Sequence, residues 1–70
     1  HKMTDYDTEN ITEILHGTGT WFTAELFRLI AKSDNINRAK LALVYPQEVN
    51  AVHQHLTGKT IYEDRNLVLQ

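Results

Sequence analysis

Cysteine is absent from this chain, which excludes disulfides and thiolate zinc sites and fits a reducing compartment. Long apolar runs are missing too: nothing approaches the ~20 residues needed to cross a bilayer, and the N-terminus lacks the basic-then-apolar pattern of a secretory signal. The expectation is a soluble, cytoplasmic protein with no membrane attachment. Serine occurs once, glycine three times and proline once. No repeat, low-complexity stretch or linker interrupts the 70 residues. The chain therefore reads as one helical domain, residues 3–58, with a C-terminal tail, residues 59–70. His1 and Lys2, ahead of Met3, read as the remnant of an expression tag.

Charge of one sign is also lacking. With Lys2 set aside, six basic residues face nine acidic ones, a net charge of about −3 with histidine neutral. That balance does not favour non-specific binding to nucleic acid or anionic membranes. A chain this short buries only about 60% of its unfolded surface, and small domains usually carry a staple. Without disulfides, the remaining staples are a partner chain or a second copy.

What is present is helical periodicity. Thr4, Asp5, Asp7 and Thr8 offer caps for a first helix from Asp5 to His16, with Ile11, Ile14 and Leu15 at i, i+3, i+4 and Gly17 as its C′ residue. After the Gly17–Thr20 turn, Thr20 is a natural N-cap for the strongest helix, Trp21 to Lys32, whose apolar face is Phe22, Leu26, Leu29 and Ile30. Ser33 and Asp34 offer the cap of a third helix, Asn35 to about Tyr45. There Ile36, Ala39 and Leu43 define one apolar face, and Leu41 and Tyr45 point the opposite way. A helix apolar on two sides is either central or shared with another subunit. Pro46 suits the first position of a fourth helix, with a Val49, Val52, Leu56 stripe ended by Gly58. The tail pairs Ile61-Tyr62 with Leu67-Val68-Leu69 around a polar stretch and reads as a hairpin, an extended arm or a frayed end. The fold class expected is all-α: a compact bundle of about four short helices with an extended or hairpin-like tail.

Residues with catalytic potential are few. His53 and His55 are two apart, so on a helix their rings flank the apolar stripe on opposite sides, whereas paired ligands on one face need i, i+3 or i, i+4. Together with His16 they read as flanking or surface residues, and no metal or other cofactor is expected. Ser33 reads as a helix cap, not a nucleophile. Glu9 and Glu13 share a helix face opposite Ile11 and Ile14 and read as solvated. Gly17-x-Gly19 lacks the preceding strand, third glycine and lysine of a phosphate-binding loop. No catalytic residue is assigned, and the chain is not expected to be an enzyme.

Binding surfaces are better represented. Residues 3–25 carry five acids and no base, whereas residues 26–47 carry Arg28, Lys32, Arg38 and Lys40 against Asp34 alone. Those four basic residues are the candidate nucleic-acid contacts. A helix-turn-helix reading is opposed by the glycine-free Ser33-Asp34 turn and by the two apolar sides of the helix that would enter the groove. Trp21 falls near Glu25, Arg28 and Lys32 on the helical wheel, a composition common at protein interfaces. Alternatively, it folds over the Gly17–Thr20 turn and packs on another helix. The candidate partner surface is Trp21, Arg28, Lys32, Leu41 and Tyr45.

The run Ile14-Leu15-His16-Gly17-x-Gly19-x-Trp21-Phe22-Thr23-Ala24, with Leu26, Arg28-Leu29-Ile30-Ala31-Lys32, Asp34, Asn37-Arg38, Pro46-x-Glu48-Val49 and Ala51, resembles a group of small proteins of bacteriophages, prophages and other mobile elements. The resemblance covers roughly residues 11 to 55. It implies a phage-type or mobile-element setting and carries no activity and no catalytic residue. Two expectations follow. The first is a non-enzymatic helical interaction module, self-associating as a symmetric dimer that buries Leu41, Tyr45 and part of the tail, with an unidentified protein partner also open to it. The alternative is a DNA-binding transcriptional regulator using the basic middle helices.

Overall fold

A computed structural model describes residues 3–64. Among them lie five helices and no strand: α1 (Asp5–Glu9), α2 (Ile11–Leu15), α3 (Phe22–Lys32), α4 (Asn35–Val44) and α5 (Pro46–Thr57). The all-α bundle expected from the sequence is what forms. Helix α3 packs on α2 and on α5, and α4 packs on α5.

The helix anticipated over Asp5–His16 is two helices. Thr4 caps α1 through a capping box in which Asp7 N donates to Thr4 Oγ1 and Thr4 N donates to Asp7 Oδ2, at 3.4 and 2.9 Å. The break falls at Asn10, whose backbone leaves the helical region at φ −103, ψ 15. Its Nδ2 donates to the Tyr6 carbonyl at 2.9 Å, a side-chain bond that competes with the backbone ladder. The far end is closed as read: Gly17 sits at φ 112, its N donates to Ile14 O, and Thr18 N donates to Glu13 O, the paired bonds of a Schellman motif.

Helix α3 begins one residue later than its sequence suggests, with Trp21 rather than Thr20 in the N-cap position and no side chain capping it. Its buried face is also rotated. Thr23, Ala24, Leu26, Phe27 and Ile30 point inward, whereas Phe22 and Leu29 stay 54% and 46% exposed. The apolar stripe of α3 is wider than the surface that α2 and α5 can cover, so one edge of it is left over.

Asp34 is the cap of α4, its Oδ1 accepting from Asn37 N at 2.7 Å, while Ser33 Oγ donates to Ile30 O and finishes α3. The face of α4 expected from Ile36, Ala39 and Leu43 is not the inner one. Of those three only Ala39 is buried, and Arg38 is buried beside it. Ile36 and Leu43 stand 65% and 74% exposed, and Leu41 and Tyr45 are half-buried against the core. Pro46 opens α5 and Gly58 ends it at φ 78, both as anticipated. Val49 and Val52 reach the core, but Leu56, one residue from the helix end, does not. The start of the tail forms a turn that returns Ile61 to the core, with Ile61 N donating to Asn50 Oδ1 at 2.9 Å. Leu67-Val68-Leu69, the apolar half of the predicted tail, lies outside the described residues.

Candidate protein-interaction site

Helices α3 and α4 are joined by the short Ser33–Asp34 turn, both rest on α5, and they meet mainly at their ends, through Arg38 near the turn and the Phe22–Tyr45 ring pair at the far end. The space between them is an open apolar groove. Its larger part, about 580 Å³, is lined by Leu29, Lys32, Ser33, Asp34, Asn37, Lys40, Leu41, Val44 and Tyr45. A smaller part, about 340 Å³, continues past Leu29, Leu41 and Tyr45 to Phe22, Glu25 and Leu26. The Ser33–Asp34 turn closes one end. At the other the Phe22 and Tyr45 rings meet at 6.1 Å, tilted by 54°. The walls are helices of 11 and 10 residues, about 15 Å long at 1.5 Å per residue, a length that seats two to three turns of another helix.

Three of the five residues expected at a partner surface come together here: Lys32, Leu41 and Tyr45. Trp21 and Arg28 do not. Trp21 packs over the turn: its Nε1 donates to Asp7 Oδ1 at 2.8 Å, its ring lies 5.8 Å from that of Tyr6, and it covers Gly19. Arg28 Nη1 donates to Ile14 O and Thr18 O, both at 3.1 Å, and its Nη2 donates to Gly19 O at 2.7 Å. These two side chains hold the α2–α3 connection. Burial pushes the Asp7 carboxyl up, but hydrogen bonds from the Thr4 backbone, the Trp21 indole and the Thr4 hydroxyl together outweigh it, and the group titrates below the usual aspartate value.

Arg38 is the second of the four candidate nucleic-acid contacts to be taken up by the fold. It is buried, and its Nη2 donates to the carbonyls of Ile30, Ala31 and Ser33 at 3.1–3.2 Å, which ties the C-terminus of α3 to α4. Its Nη1 lies 3.3 Å from His53 Nδ1, and His53 Nε2 lies 2.7 Å from Asp64 Oδ2. Guanidinium can only donate, so Nδ1 accepts from it and the Nε2 proton is directed at the carboxylate. His53 is thus not the flanking residue its spacing indicated but a buried link between α4, α5 and the start of the tail. Such a tertiary contact leaves no periodic trace in the sequence. Lys32 and Lys40 alone of the four candidate bases stay exposed, one on each wall of the groove.

Among the described residues a second concavity, also about 580 Å³, lies against α5, but it offers less apolar surface to a partner. Glu9, Glu13, His16 and His55 are exposed, and no group of three or more His, Cys, Asp or Glu among the described residues could hold a metal ion. The concavity between α1 and α5 is lined mainly by polar side chains, and its Asn50 is committed to the Ile61 amide. The groove residues that sequence reading missed are Phe22, Leu29 and Val44. The signal was an excess of apolar positions over what one inner face can hold, and it was spent on the wrong face. Comparison with known protein families, characterised proteins and solved structures finds no match to this chain.

Proposed function

We propose that this chain is a small, non-enzymatic protein-interaction module of phage or mobile-element type, and that it self-associates through the groove between α3 and α4. The observation that carries the reading is the groove itself. It is an apolar trough walled by two helices, with Phe22, Leu29 and Val44 exposed along it at 54%, 46% and 70%. Helix-in-groove recognition uses such a trough to receive the apolar stripe of another helix. Apolar side chains clustered this way lose solvent contact on association, at roughly 25 cal/mol per Å² of buried apolar area. The mobile-element setting rests on the resemblance of the Ile14–Ala51 run.

The test is sedimentation velocity on the full chain from about 1 µM to 1 mM, the range in which a modest apolar interface operates. The parent is expected to shift from monomer to dimer, and Leu29→Glu, at an exposed position, to remain monomeric with unchanged helical circular dichroism. A parent that stays monomeric throughout would end the self-association reading.

A further inference from the structure

Groove and complement occur side by side on α4. Leu41, Val44 and Tyr45 line the groove, while Ile36 and Leu43, on the adjoining flank of the same helix, form a ridge 65% and 74% exposed. Among the described residues the ridge takes no part in the core, for the inner face of α4 is Arg38 and Ala39. The rim of the groove is mixed in charge. Glu25 and Lys32 lie on α3, Lys40 lies on α4 and Asp34 caps its start, so the rim sums to zero although the chain carries −2. A rim of one sign would select an oppositely charged partner and repel its own copy, whereas a balanced rim meets its copy without repulsion. A small chain without disulfides also gains the most from a second copy.

Resting on the reading of the groove as a self-association surface, we infer that two copies pair about a two-fold axis, the Ile36–Leu43 ridge of each entering the α3/α4 groove of the other. The arrangement is isologous, so both ridges and both grooves are used and the assembly closes as a dimer. On the helical wheel Lys40 falls between Ile36 and Val44. Its methylene stem covers apolar surface there while the ammonium stays at the rim.

An equimolar mixture of ¹³C-labelled and unlabelled chains, studied by isotope-filtered NOE spectroscopy, tests the pairing. Cross-peaks are expected from Ile36 and Leu43 methyls of one copy to Phe22 and Tyr45 ring protons of the other. An Ile36→Glu, Leu43→Glu double variant, altered only at exposed positions, is expected to keep its helical spectrum and to associate at least tenfold more weakly. Association with intermolecular contacts elsewhere would overturn the pairing and leave self-association standing. So would weakening by Leu29→Glu but not by the ridge variant, which would place another segment of the copy in the groove. A monomer at every concentration would overturn both.

Discussion

Gly19 and Gly17 occupy one turn, both at positive φ, 97 and 112, yet they answer to different constraints. A Cβ at Gly17 would meet nothing within 4 Å, so Gly17→Ala is strained only through its backbone, at somewhat more than about 1 kcal/mol. A Cβ at Gly19 would fall 2.3 Å from the Trp21 ring. Gly19→Ala must therefore displace the indole from Asp7 as well, and its cost should reach about 2–4 kcal/mol. Urea titration followed by the fluorescence of Trp21, the sole tryptophan, checks the order. Equal costs would mean that the ring does not rest on the turn. Asp7 supplies a pH signature at the same contact. Because its folded pKa lies below its unfolded value near 3.8, the stability it contributes is fully present above that value and is lost as pH falls through the folded one. Asp7→Asn should be less stable than the parent at pH 7, and the difference should shrink below about pH 4. A difference that stays constant down to pH 2 would place the Asp7 contribution elsewhere than in its charge.

At the scale of elements, most helix ends were legible, the break at Asn10 and the Trp21 start of α3 excepted, and helix rotations were not. Thr4, Gly17, Asp34, Pro46 and Gly58 act within a few residues of themselves, by capping, by positive φ or by a fixed φ, and all five stand where local chemistry puts them. The facing of α3 and α4 depends on what each helix packs against. Their apolar stripes exceed one face, so Phe22, Leu29, Ile36 and Leu43 were read as inward when Phe27 and Arg38 take those places. Arg38 is where the difference matters most, since it looked like a surface base and instead fastens three elements. Arg38→Met removes a donor from three carbonyls and from the buried His53 Nδ1. Ile30 O keeps its bonds from Ser33, but the part-buried Ala31 and Ser33 carbonyls and His53 Nδ1 lose this partner, at a cost of about 2–4 kcal/mol. Lys40→Met, at an exposed position of the same helix, should change stability by no more than about 0.5 kcal/mol. Chemical denaturation of the pair decides, and equal effects would remove Arg38 from its structural role.

For the whole molecule the question is how little one chain can hold by itself. Seventy residues at 0.05–0.15 kcal/mol each give a folding free energy of only about 4–10 kcal/mol, while truncating a fully buried phenylalanine such as Phe27 costs about 3–5 kcal/mol. Phe27→Ala should accordingly lose from about a third to all of that stability, read as a lowered urea midpoint at low concentration. If copies pair, unfolding is also dissociation, and mass action raises the melting temperature with concentration. An unfolding enthalpy of about 0.7 kcal/mol per residue gives about 100 kcal/mol for two chains. A hundredfold rise in concentration through the dimeric range should then lift the melting temperature on the order of 10 °C. The Ile36→Glu, Leu43→Glu variant should show a smaller shift, because it pairs more weakly while its monomer core, to which neither side chain contributes, is intact. Scanning calorimetry of both proteins at two concentrations separates a core that suffices alone from one completed by its copy. A parent whose melting temperature ignores concentration has the first kind, and the exposed apolar face of α3 and α4 would then need a different partner to cover it.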